Sequence, residues 1–507
     1  MRTLLTGVTV VDPAGSTTAE AVETEAGRIT WTGTAAAAAG RAGPTTTVLH
    51  LPGAVLTPAF VDAHVHATAT GLLVDGLDLT AAGSPLEVLD AVAARARARP
   101  GSLVWGHGWQ DQGWSGPPPA RTELDRAAGG APVYLSRIDV HSALVSSALL
   151  DRAPAAVGAP GWSSGALSTQ AHHHARRAAL AAVDGSTRAA AQRDFLADAA
   201  AHGVGTVHEC AGPDISSVAD LTGLLALSAL TGPEVVAYWG EAVATATAAR
   251  ELLAATGARG LAGDLFLDGS LGSRTAALRA PYTDAPDSSG HRYLDPGAVA
   301  DHVAACTAAG VQAGFHVIGD AAADALVAGL RAAADRTGPN GGPPHRVEHL
   351  EMVDAGQARE LAALGVVASV QPLFDACWGG PAGMYAERLG PTRSAPMNPF
   401  ALLRAAGVTL ALGSDAPVTP VDPWAAVRAA VDHRTPGSGL DPATALAAHT
   451  VGGHRAAGDR SATAGRLVPG AVASYAVWDG PGPLTGAAAP RCLRTVHRGR
   501  ILHDTLG

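Results

Sequence analysis

Eight short apolar runs, separated by Ala-rich stretches of helical character, constrain the fold of this 507-residue chain more than any other feature. Alternation of short strands with helices is typical of a parallel sheet with crossover helices. Eight strands are the number needed to close a TIM-like (β/α)8 barrel. The predicted strands cover residues 59–66, 205–211, 234–240, 263–269, 311–320, 346–351, 366–372 and 408–417.

The two ends of the chain have a different, all-β character. Residues 1–57 and 460–507 contain short β-branched runs divided by Gly and Pro turns. We expect these two segments to pair into one composite β-sandwich beside an α/β barrel over residues 58–459. A stretch of about residues 70–200, rich in Gly, Pro and Trp, is predicted to be a subdomain inserted after the first barrel strand, with loops over the barrel mouth.

Charge and composition exclude several classes of protein. The net charge of −10 argues against a nucleic-acid binder, which would need a basic face. No uninterrupted apolar run reaches membrane-spanning length, and the N-terminus reads as a strand and a turn instead of a signal peptide. The four cysteines are scattered, which disfavours a disulfide framework or a cysteine zinc site. We therefore expect a cytoplasmic protein that binds neither membrane nor nucleic acid.

The segment LTPAFVDAHVHAT, residues 56–68, ends an apolar run in two histidines one residue apart. Side chains at positions i and i+2 of a strand point the same way, so His64 and His66 are predicted to lie side by side. Two adjacent imidazoles suit a metal ion better than an apolar core. This segment alone leaves open the alternative of a strand end with two exposed histidines.

Polar residues at the ends of other predicted strands support the metal interpretation. His316 lies in FHVIGD, His349 in VEHLE and Asp415 in GSDAP, at the ends of strands five, six and eight. Barrel closure would bring them to the axis beside the two histidines of strand one. Imidazole and carboxylate suit zinc, which lowers the pKa of its bound water to about 7. A neighbouring carboxylate can carry the proton to a leaving group, as in metal-assisted hydrolysis of a C–N or C–O bond.

These motifs resemble those of the amidohydrolase superfamily, and more narrowly the branch called amidohydrolase family 3, which includes N-substituted formamide deformylase. The segments TPAFVDAHVHAT, DGSLGSRTAAL, FHVIGD, HRVEHLEM and GSDAPV carry the resemblance, in that order along the chain. It implies a TIM-like barrel beside a small β-sandwich. It also implies that His64, His66 and His316 bind metal, that His349 is the sixth-strand histidine, and that Asp415 binds the metal or its water and moves the proton.

One position departs from the family pattern. Many relatives carry a carboxylated lysine, four residues before the DGS segment, that bridges two metals. Here that position is Asp264, and the chain contains no lysine. An aspartate carboxyl falls roughly 5 Å short of a lysine carbamate, so Asp264 is a poor replacement unless the backbone moves inward. We predict one zinc ion per chain, with His349 bonded to the attacking water or to the substrate carbonyl. The predicted ligands are His64, His66, His316 and Asp415. The rival interpretation has two metals, with Asp264 and His349 serving the second.

Each of the further candidates also has a purely structural interpretation. Asp268, Ser270 and Arg274 in DGSLGSR could contact substrate, or Asp268 could simply hold a Gly-rich turn. Trp109 could form part of a pocket wall, as could three other loop tryptophans, or it could pack inside the insert. The three histidines at 172–174 lie in a predicted helix, where a solvated face is favoured over a metal site.

The leading functional prediction is a metal-dependent hydrolase that cleaves the C–N bond of an amide, N-formyl or N-acyl small molecule. A deaminase of a cyclic substrate on the same fold is the nearest enzymatic alternative. A catalytically impaired scaffold that binds a small molecule is the alternative from another class. The oligomeric state is left open, with a homodimer as one option.

Overall fold

The barrel is the centre of the molecule. The structure is a computed structural model that describes residues 2–13, 15–16, 19–338, 343–480 and 489–506. In this described part, eight parallel strands form one sheet in which each strand pairs with the next along the chain. We number them β1 (Phe60–Val65), β2 (Val204–Ala211), β3 (Glu234–Trp239), β4 (Gly260–Leu261), β5 (Gln312–Val317), β6 (Arg346–His349), β7 (Val367–Val370) and β8 (Thr409–Leu412).

Closure of the barrel depends on a contact between its first and last strands. A parallel bridge joins Val65 at the end of β1 to Ala416, just beyond β8. The backbone N–H of Asp415 donates to the carbonyl of His64 at 2.8 Å, which adds to the same seam. The predicted TIM-like barrel is confirmed, and its closing seam runs through two of the predicted site residues.

The fourth strand differs most from its prediction. Regular pairing is confined to Gly260–Leu261 instead of residues 263–269, and an isolated bridge joins Phe266 to His316 of β5. Gly263 has a φ of +75°, a left-handed conformation that ends the extended run. The segment after Leu261 therefore leaves the regular barrel wall, and this segment contains Asp264.

Helices surround the barrel, and polar side chains start several of them. Ser217, Thr245 and Asp295 each accept a backbone N–H of the first turn through their side chains. Such N-caps satisfy donors that lack a partner within the helix. The crossover helices are Val218–Leu230, Ala246–Thr256, Pro296–Ala309, Asp320–Thr337, Ala355–Ala363, Phe400–Ala406 and Pro423–Val431. Their buried faces pack against the outer side of the sheet and form the largest apolar core.

Two further sheets join the chain ends into the predicted sandwich. One sheet has the strand order Arg28–Gly33, Ala21–Glu25, Arg2–Thr6, Thr46–His50. The other has the order Arg500–Asp504, Cys492–His497, Tyr475–Trp478, Val55–Pro58, Thr9–Asp12, Gly15–Ser16. Antiparallel pairing of Tyr475–Trp478 with Val55–Pro58 connects the C-terminal segment to the N-terminal one. Leu5, Val22 and Val477 belong to the core between the sheets.

The insert between β1 and β2 has a sheet and a core of its own. Its strand order is Leu167–Ser168, Ser142–Val145, Val133–Arg137, Val104–Trp109, Leu77–Asp78. Its longer helices are Pro85–Ala98, Arg121–Ala128, Thr169–Ala181 and Gly185–Ala201. The insert is thus a packed layer and not only a set of loops over the barrel mouth.

Shorter helical segments complete the described chain. They are Ala35–Ala38, Ala39–Arg41, Ala67–Gly71, Ser147–Leu150, Pro154–Ala156, Pro372–Trp378, Met384–Leu389, Pro391–Ser394, Pro442–Ala447, Ala448–Gly452 and Gly453–Ala456. Across the residues that can be described, no helix has both the length and the apolar character required to span a bilayer.

Candidate metal centre

The predicted ligand positions lie at the C-terminal ends of the barrel strands. His64 belongs to β1 and His66 follows it directly, while His316 lies in β5 and His349 ends β6. Asp415 comes three residues after β8. All five side chains are buried. Because every strand runs in the same direction, these side chains share one end of the barrel.

Asp415 lies against the two histidines of the first strand. Its Oδ1 is 3.1 Å from Nε2 of His66 and 3.4 Å from Nε2 of His64. Asp415 and His349 both have positive φ values, of 54° and 72°. Non-glycine residues in this conformation are strained, and such strain concentrates at functional sites. The backbone at both positions is therefore held in an unfavourable conformation that aims the side chain at the barrel axis.

Asp264 lies at the middle of the imidazole cluster, which corrects the expectation that its carboxyl would fall short. Its Oδ2 is 3.2 Å from Nε2 of His66. Its Oδ1 is 3.5 Å from Nε2 of His64, 3.3 Å from Nδ1 of His316 and 3.8 Å from Nε2 of His349. One carboxylate thus reaches histidines of three different strands.

The backbone path after β4 explains why the short side chain reaches this point. Regular strand pairing stops at Leu261, and Gly263 adopts a left-handed conformation just before Asp264. A Cβ placed on Gly240 would lie 2.6 Å from the carbonyl carbon of Asp264. Only a glycine at position 240 leaves room for this approach. This irregular backbone and close approach accompany the contacts of Asp264 with the imidazoles.

The charge state of Asp264 follows from its neighbours. Burial alone would raise the pKa of this carboxyl, but the surrounding imidazoles, with His64 the strongest, hold its pKa well below the usual range. An opposite charge within a few ångströms favours the ionised form. Asp264 is therefore a carboxylate at neutral pH and can serve as a metal ligand.

A buried ion pair below the centre orients His64. Nδ1 of His64 lies 2.9 Å from Oε2 of Glu348, whose Oε1 accepts a 2.6 Å hydrogen bond from Nε of Arg346. Arg346 also donates to the carbonyl of Ala63 at 2.7 Å. A carboxylate on one ring nitrogen of a histidine fixes the orientation of the ring and makes the other nitrogen a better ligand. Nε2 of His64 is therefore aimed at the centre.

Gln371 performs a similar role for His349. Nδ1 of His349 lies 2.7 Å from Oε1 of Gln371, an atom that can only accept a hydrogen bond. Nδ1 therefore carries a proton, and Nε2 faces the centre. An unprotonated Nε2 can bind a metal or accept a hydrogen bond from water, whereas a protonated Nε2 can donate to a carbonyl.

The cluster fits a divalent metal ion. Nε2 of His64 and Oδ1 of Asp415 are buried and have no hydrogen-bond partner among the described residues. The ligand atoms around them are 3.1–3.8 Å apart. Ligands at zinc bond lengths in a tetrahedron are about 3.4 Å apart, so this spacing is that of atoms around one ion. An imidazole and carboxylate set of this kind suits zinc and similar borderline cations.

Two cavities flank the centre. The insert-side cavity is lined by His66, Trp105, Tyr134, Arg176, Glu209 and Ile215, among others. The loop-side cavity is lined by His141, Ser270, His316, His349, Glu351 and Trp378, among others. Each cavity has predicted metal ligands in its wall, so a bound molecule could extend from the centre to either side.

The DGS segment holds a turn beside the centre. Asp268 accepts backbone N–H groups of Ala277, Ile318 and Gly319 at 2.8–3.0 Å, which is the arrangement of a residue that stabilises a turn. Ser270 lines the loop-side cavity and donates to Asp139 at 2.6 Å. Of these two candidates, only Ser270 lies where a substrate could touch it.

Two other candidates lie away from both cavity walls. Arg274 forms an ion pair with Asp284 at 2.7 Å, and a third of its side chain is exposed. Trp109 is buried in the core of the insert, where its indole N–H donates to the carbonyl of Leu135 at 2.9 Å. Their contacts support packing roles, whereas Trp105 and Trp378 do line the two cavities.

The expectation of a solvated histidine face at 172–174 is wrong. His172 and His173 are buried, because the helix Thr169–Ala181 packs between the insert sheet and the barrel mouth. The same helix carries Arg176, a cavity residue that the sequence analysis did not identify. An arginine in an Ala-rich helix usually faces solvent, so the sequence pattern held no signal for it.

Comparisons with known proteins agree with this architecture. The sequence profile described as the amidohydrolase family matches residues 47–503. The protein LONG AFTER FAR-RED 3 of Arabidopsis thaliana is 29% identical over 89% of this chain and 83% of its own length. N-substituted formamide deformylase of Arthrobacter pascens is 32% identical over 27% of this chain and 26% of its own length.

A solved structure shows the same fold over almost the whole chain. An uncharacterized metal-dependent hydrolase from Pyrococcus furiosus superposes with a TM-score of 0.74 at 23% sequence identity, over 96% of this chain and 100% of that one. Its fold includes the barrel that carries the centre described above. Since the family profile spans nearly the full length as well, this chain belongs to the amidohydrolase family.

Proposed function

We propose that this amidohydrolase is a zinc enzyme that cleaves the C–N bond of small, non-peptide amides such as N-formyl or N-acyl compounds. The proposal depends mainly on the ring of imidazole and carboxylate atoms, which lie 3.1–3.8 Å apart. Within this ring, Nε2 of His64 and Oδ1 of Asp415 are buried and make no hydrogen bond in the described chain. The partial match to N-substituted formamide deformylase supports a linear amide as the substrate.

One zinc ion per chain is the stoichiometry we propose. His64, His349 and Asp415 each offer a ligand atom, and these three atoms lie within 4.8 Å of one another. Two metals in a shared site are about 3.5–4 Å apart, which would spread the outer ligands of the pair to roughly 6 Å. We propose that the single ion is held by His64, His66, His316 and Asp415. Asp264, His316 and His349 also form a group within 4.8 Å, and this group contains the two residues, Asp264 and His349, that the two-metal alternative assigns to a second ion. Asp264, at the centre of the cluster, is a fifth candidate ligand.

The chemistry divides between the metal and the side chains around it. When bound, the metal would lower the pKa of a water molecule to about 7 and polarise the amide carbonyl. Oδ1 of Asp415 accepts the proton of the attacking water and delivers it to the amide nitrogen as the C–N bond breaks. Nε2 of His349, with its proton on the opposite nitrogen, accepts a hydrogen bond from that water and orients it.

The two cavities suit the two arms of an amide. The insert-side cavity begins at His66, and the loop-side cavity begins at His316 and His349. An amide held at the centre would therefore place its acyl arm on one side and its amine arm on the other. A substrate that fills both cavities would displace water from the reacting atoms, which strengthens electrostatic interactions with them.

Metal content and a substrate panel test the proposal together. Protein purified without chelator should contain one equivalent of zinc and should hydrolyse N-formyl and N-acyl amines. Two equivalents of zinc would contradict the single-ion stoichiometry. Release of ammonia from cyclic substrates without amide hydrolysis would favour the deaminase alternative. Zinc-loaded protein that is inert on both panels and still binds small molecules would favour the impaired scaffold.

A further inference from the structure

Arg176 is a buried cation at the wall of the insert-side cavity. It lies on the inner face of the helix Thr169–Ala181, and only 7% of its surface is exposed. The same cavity wall includes the metal-site residue His66. The guanidinium is therefore shielded from solvent in a space that opens onto the candidate metal centre.

Every described hydrogen-bond partner of Arg176 is neutral. Its Nε donates to the hydroxyl of Tyr134 at 3.3 Å, NH1 donates to the carbonyl of Asp214 at 3.3 Å, and NH2 donates to the carbonyl of Val140. The Tyr134 hydroxyl in turn lies 2.9 Å from Nε2 of His172. Burial and the positive charge of Arg176 lower the pKa of His172 well below its usual value, so His172 is neutral as well.

No carboxylate of the described chain balances this charge within 4.0 Å. The carboxylate of Asp214, whose backbone carbonyl accepts from Arg176, pairs instead with His173 at 3.3 Å and with Arg177 at 3.2 Å. A guanidinium cannot lose its proton in a protein, and burial of an uncompensated charge is strongly unfavourable. Its three hydrogen bonds leave one N–H of each terminal nitrogen without an acceptor among the described residues.

We propose that Arg176 binds a carboxylate of the substrate, so that the preferred amides carry an apolar arm that ends in a carboxylate group. The proposal rests on the proposed amide hydrolysis and names its substrate class. The fork of N–H groups on a guanidinium matches the two oxygens of a carboxylate. An anionic arm in the insert-side cavity would give Arg176 a direct ion-pair partner, which no described residue provides within 4.0 Å.

The remaining walls of the insert-side cavity are partly apolar. Trp105, Leu180 and Ile215 line the cavity together with the arginine. The two acids in the wall are already engaged elsewhere. Glu209 accepts the backbone N–H of Ala67 at 2.8 Å, and Asp220 accepts the hydroxyl of Thr68 at 2.9 Å. Neither acid forms an ion pair with Arg176, so the guanidinium stays available to an incoming anion.

Matched substrates test the preference in the zinc-loaded wild-type enzyme. N-formyl derivatives of straight-chain ω-amino acids are compared with N-formyl alkylamines of the same length. We expect kcat/KM to be about 30-fold higher for the carboxylate member of the best pair, the gain typical of a charge-assisted hydrogen bond. Equal rates for both members at every length would overturn the proposal, whatever the variants do.

Variants locate the effect. Arg176→Gln should lose the roughly 30-fold preference, measured as the ratio of kcat/KM between the two members of the pair. Arg177→Gln is the matched control, because it removes the same charge from the adjacent, partly exposed position of the same helix. A preference that survives in Arg176→Gln, or that disappears equally in Arg177→Gln, would contradict the assignment.

A binding measurement separates this proposal from the proposed function. Calorimetric titration with hexanoate and hexanamide should show tighter binding of hexanoate to wild type, and the difference should vanish in Arg176→Gln. If no amide is hydrolysed but this difference is found, the proposed function fails and the anion site stands. If amides are hydrolysed but hexanoate binds wild type and Arg176→Gln equally, the anion site fails and the proposed function stands.

Discussion

Two charged layers stacked along the barrel axis differ in how their charges are balanced. The upper layer is the candidate metal centre, where Asp264 and Asp415 face only histidines. The lower layer is the fully buried ion pair of Glu348 and Arg346, in which Nε of Arg346 lies 2.6 Å from Oε1 of Glu348. Both layers place carboxylates in the barrel interior, yet only the lower one contains a permanent cation to pair with them.

This difference separates a structural network from a binding site. Burial would raise the pKa of Glu348, but Arg346 and His64 hold it well below the usual range, so the lower layer is charged and balanced without any ligand. In the upper layer, Nε2 of His64 and Oδ1 of Asp415 lie 3.4 Å apart, but neither atom makes a hydrogen bond within the described chain. Buried polar atoms normally make hydrogen bonds, which supports the proposal that this layer binds a metal ion.

The largest expected effect concerns the upper layer. Asp415→Asn removes the carboxylate that moves the proton and keeps the shape of the side chain. We expect kcat/KM for N-formyl amines to fall about 10³-fold, the range of general acid–base catalysis, with the fold retained in circular dichroism. Asp432→Asn, the same substitution at an exposed position close by in the sequence, should leave kcat/KM unchanged. A loss below tenfold for Asp415→Asn would remove this residue from the reaction.

Disruption of the lower layer should reduce the stability of the fold. Arg346→Met leaves Glu348 buried without its cation, and we expect the free energy of unfolding of metal-free protein to fall by about 3–5 kcal/mol in urea titration. Arg331→Met removes an exposed arginine that pairs with Glu360 at the surface, where the loss should stay below about 1 kcal/mol. Equal losses of unfolding free energy in the two variants would show that the ion pair of Arg346 and Glu348 does not stabilise the fold more than a surface ion pair does.

The contact between the two layers should appear in metal affinity. Glu348→Gln weakens the support of His64, and we expect zinc to bind about 10–100-fold more weakly in competition with a chelator. Glu23→Gln is a matched control, because Glu23 is an equally buried acid paired with Arg2 and Arg41 in the distant sandwich. Unchanged zinc affinity in Glu348→Gln would mean that His64 is oriented without the lower layer.

The smallest expected effect concerns the pH dependence of stability that the ion-paired Glu23 causes. The hydrogen bond from Arg41, opposed by burial and helped by Arg2, lowers the pKa of Glu23 from 4.5 to about 2. Because the folded value is the lower one, the stabilisation is complete above pH 4.5 and is lost as pH falls towards 2. Unfolding of metal-free wild type should therefore depend more steeply on pH in this window than unfolding of Glu23→Gln. Parallel curves would contradict the ion pair.

Local patterns were sufficient for part of the site. Alternation along one strand placed His64 beside His66, and the strand ends at 316, 349 and 415 indicated a shared barrel end before any distance was known. The position of Asp264 was missed because it depends on an early end to β4 and on the space left by Gly240. Helical periodicity also could not show that His172 would be covered by another layer.

Strand period and strand direction are local properties of the chain, and they were enough to predict the barrel, the types of ligand and the end of the barrel at which the ligands lie. In contrast, the contacts of Asp264 with the histidines, and the position of Arg176 at a cavity wall with no acidic partner within 4.0 Å in the described chain, became known from the folded arrangement. Those distances join residues far apart in sequence. They follow from strand register and from close approach of backbones, which spacing along the chain does not constrain.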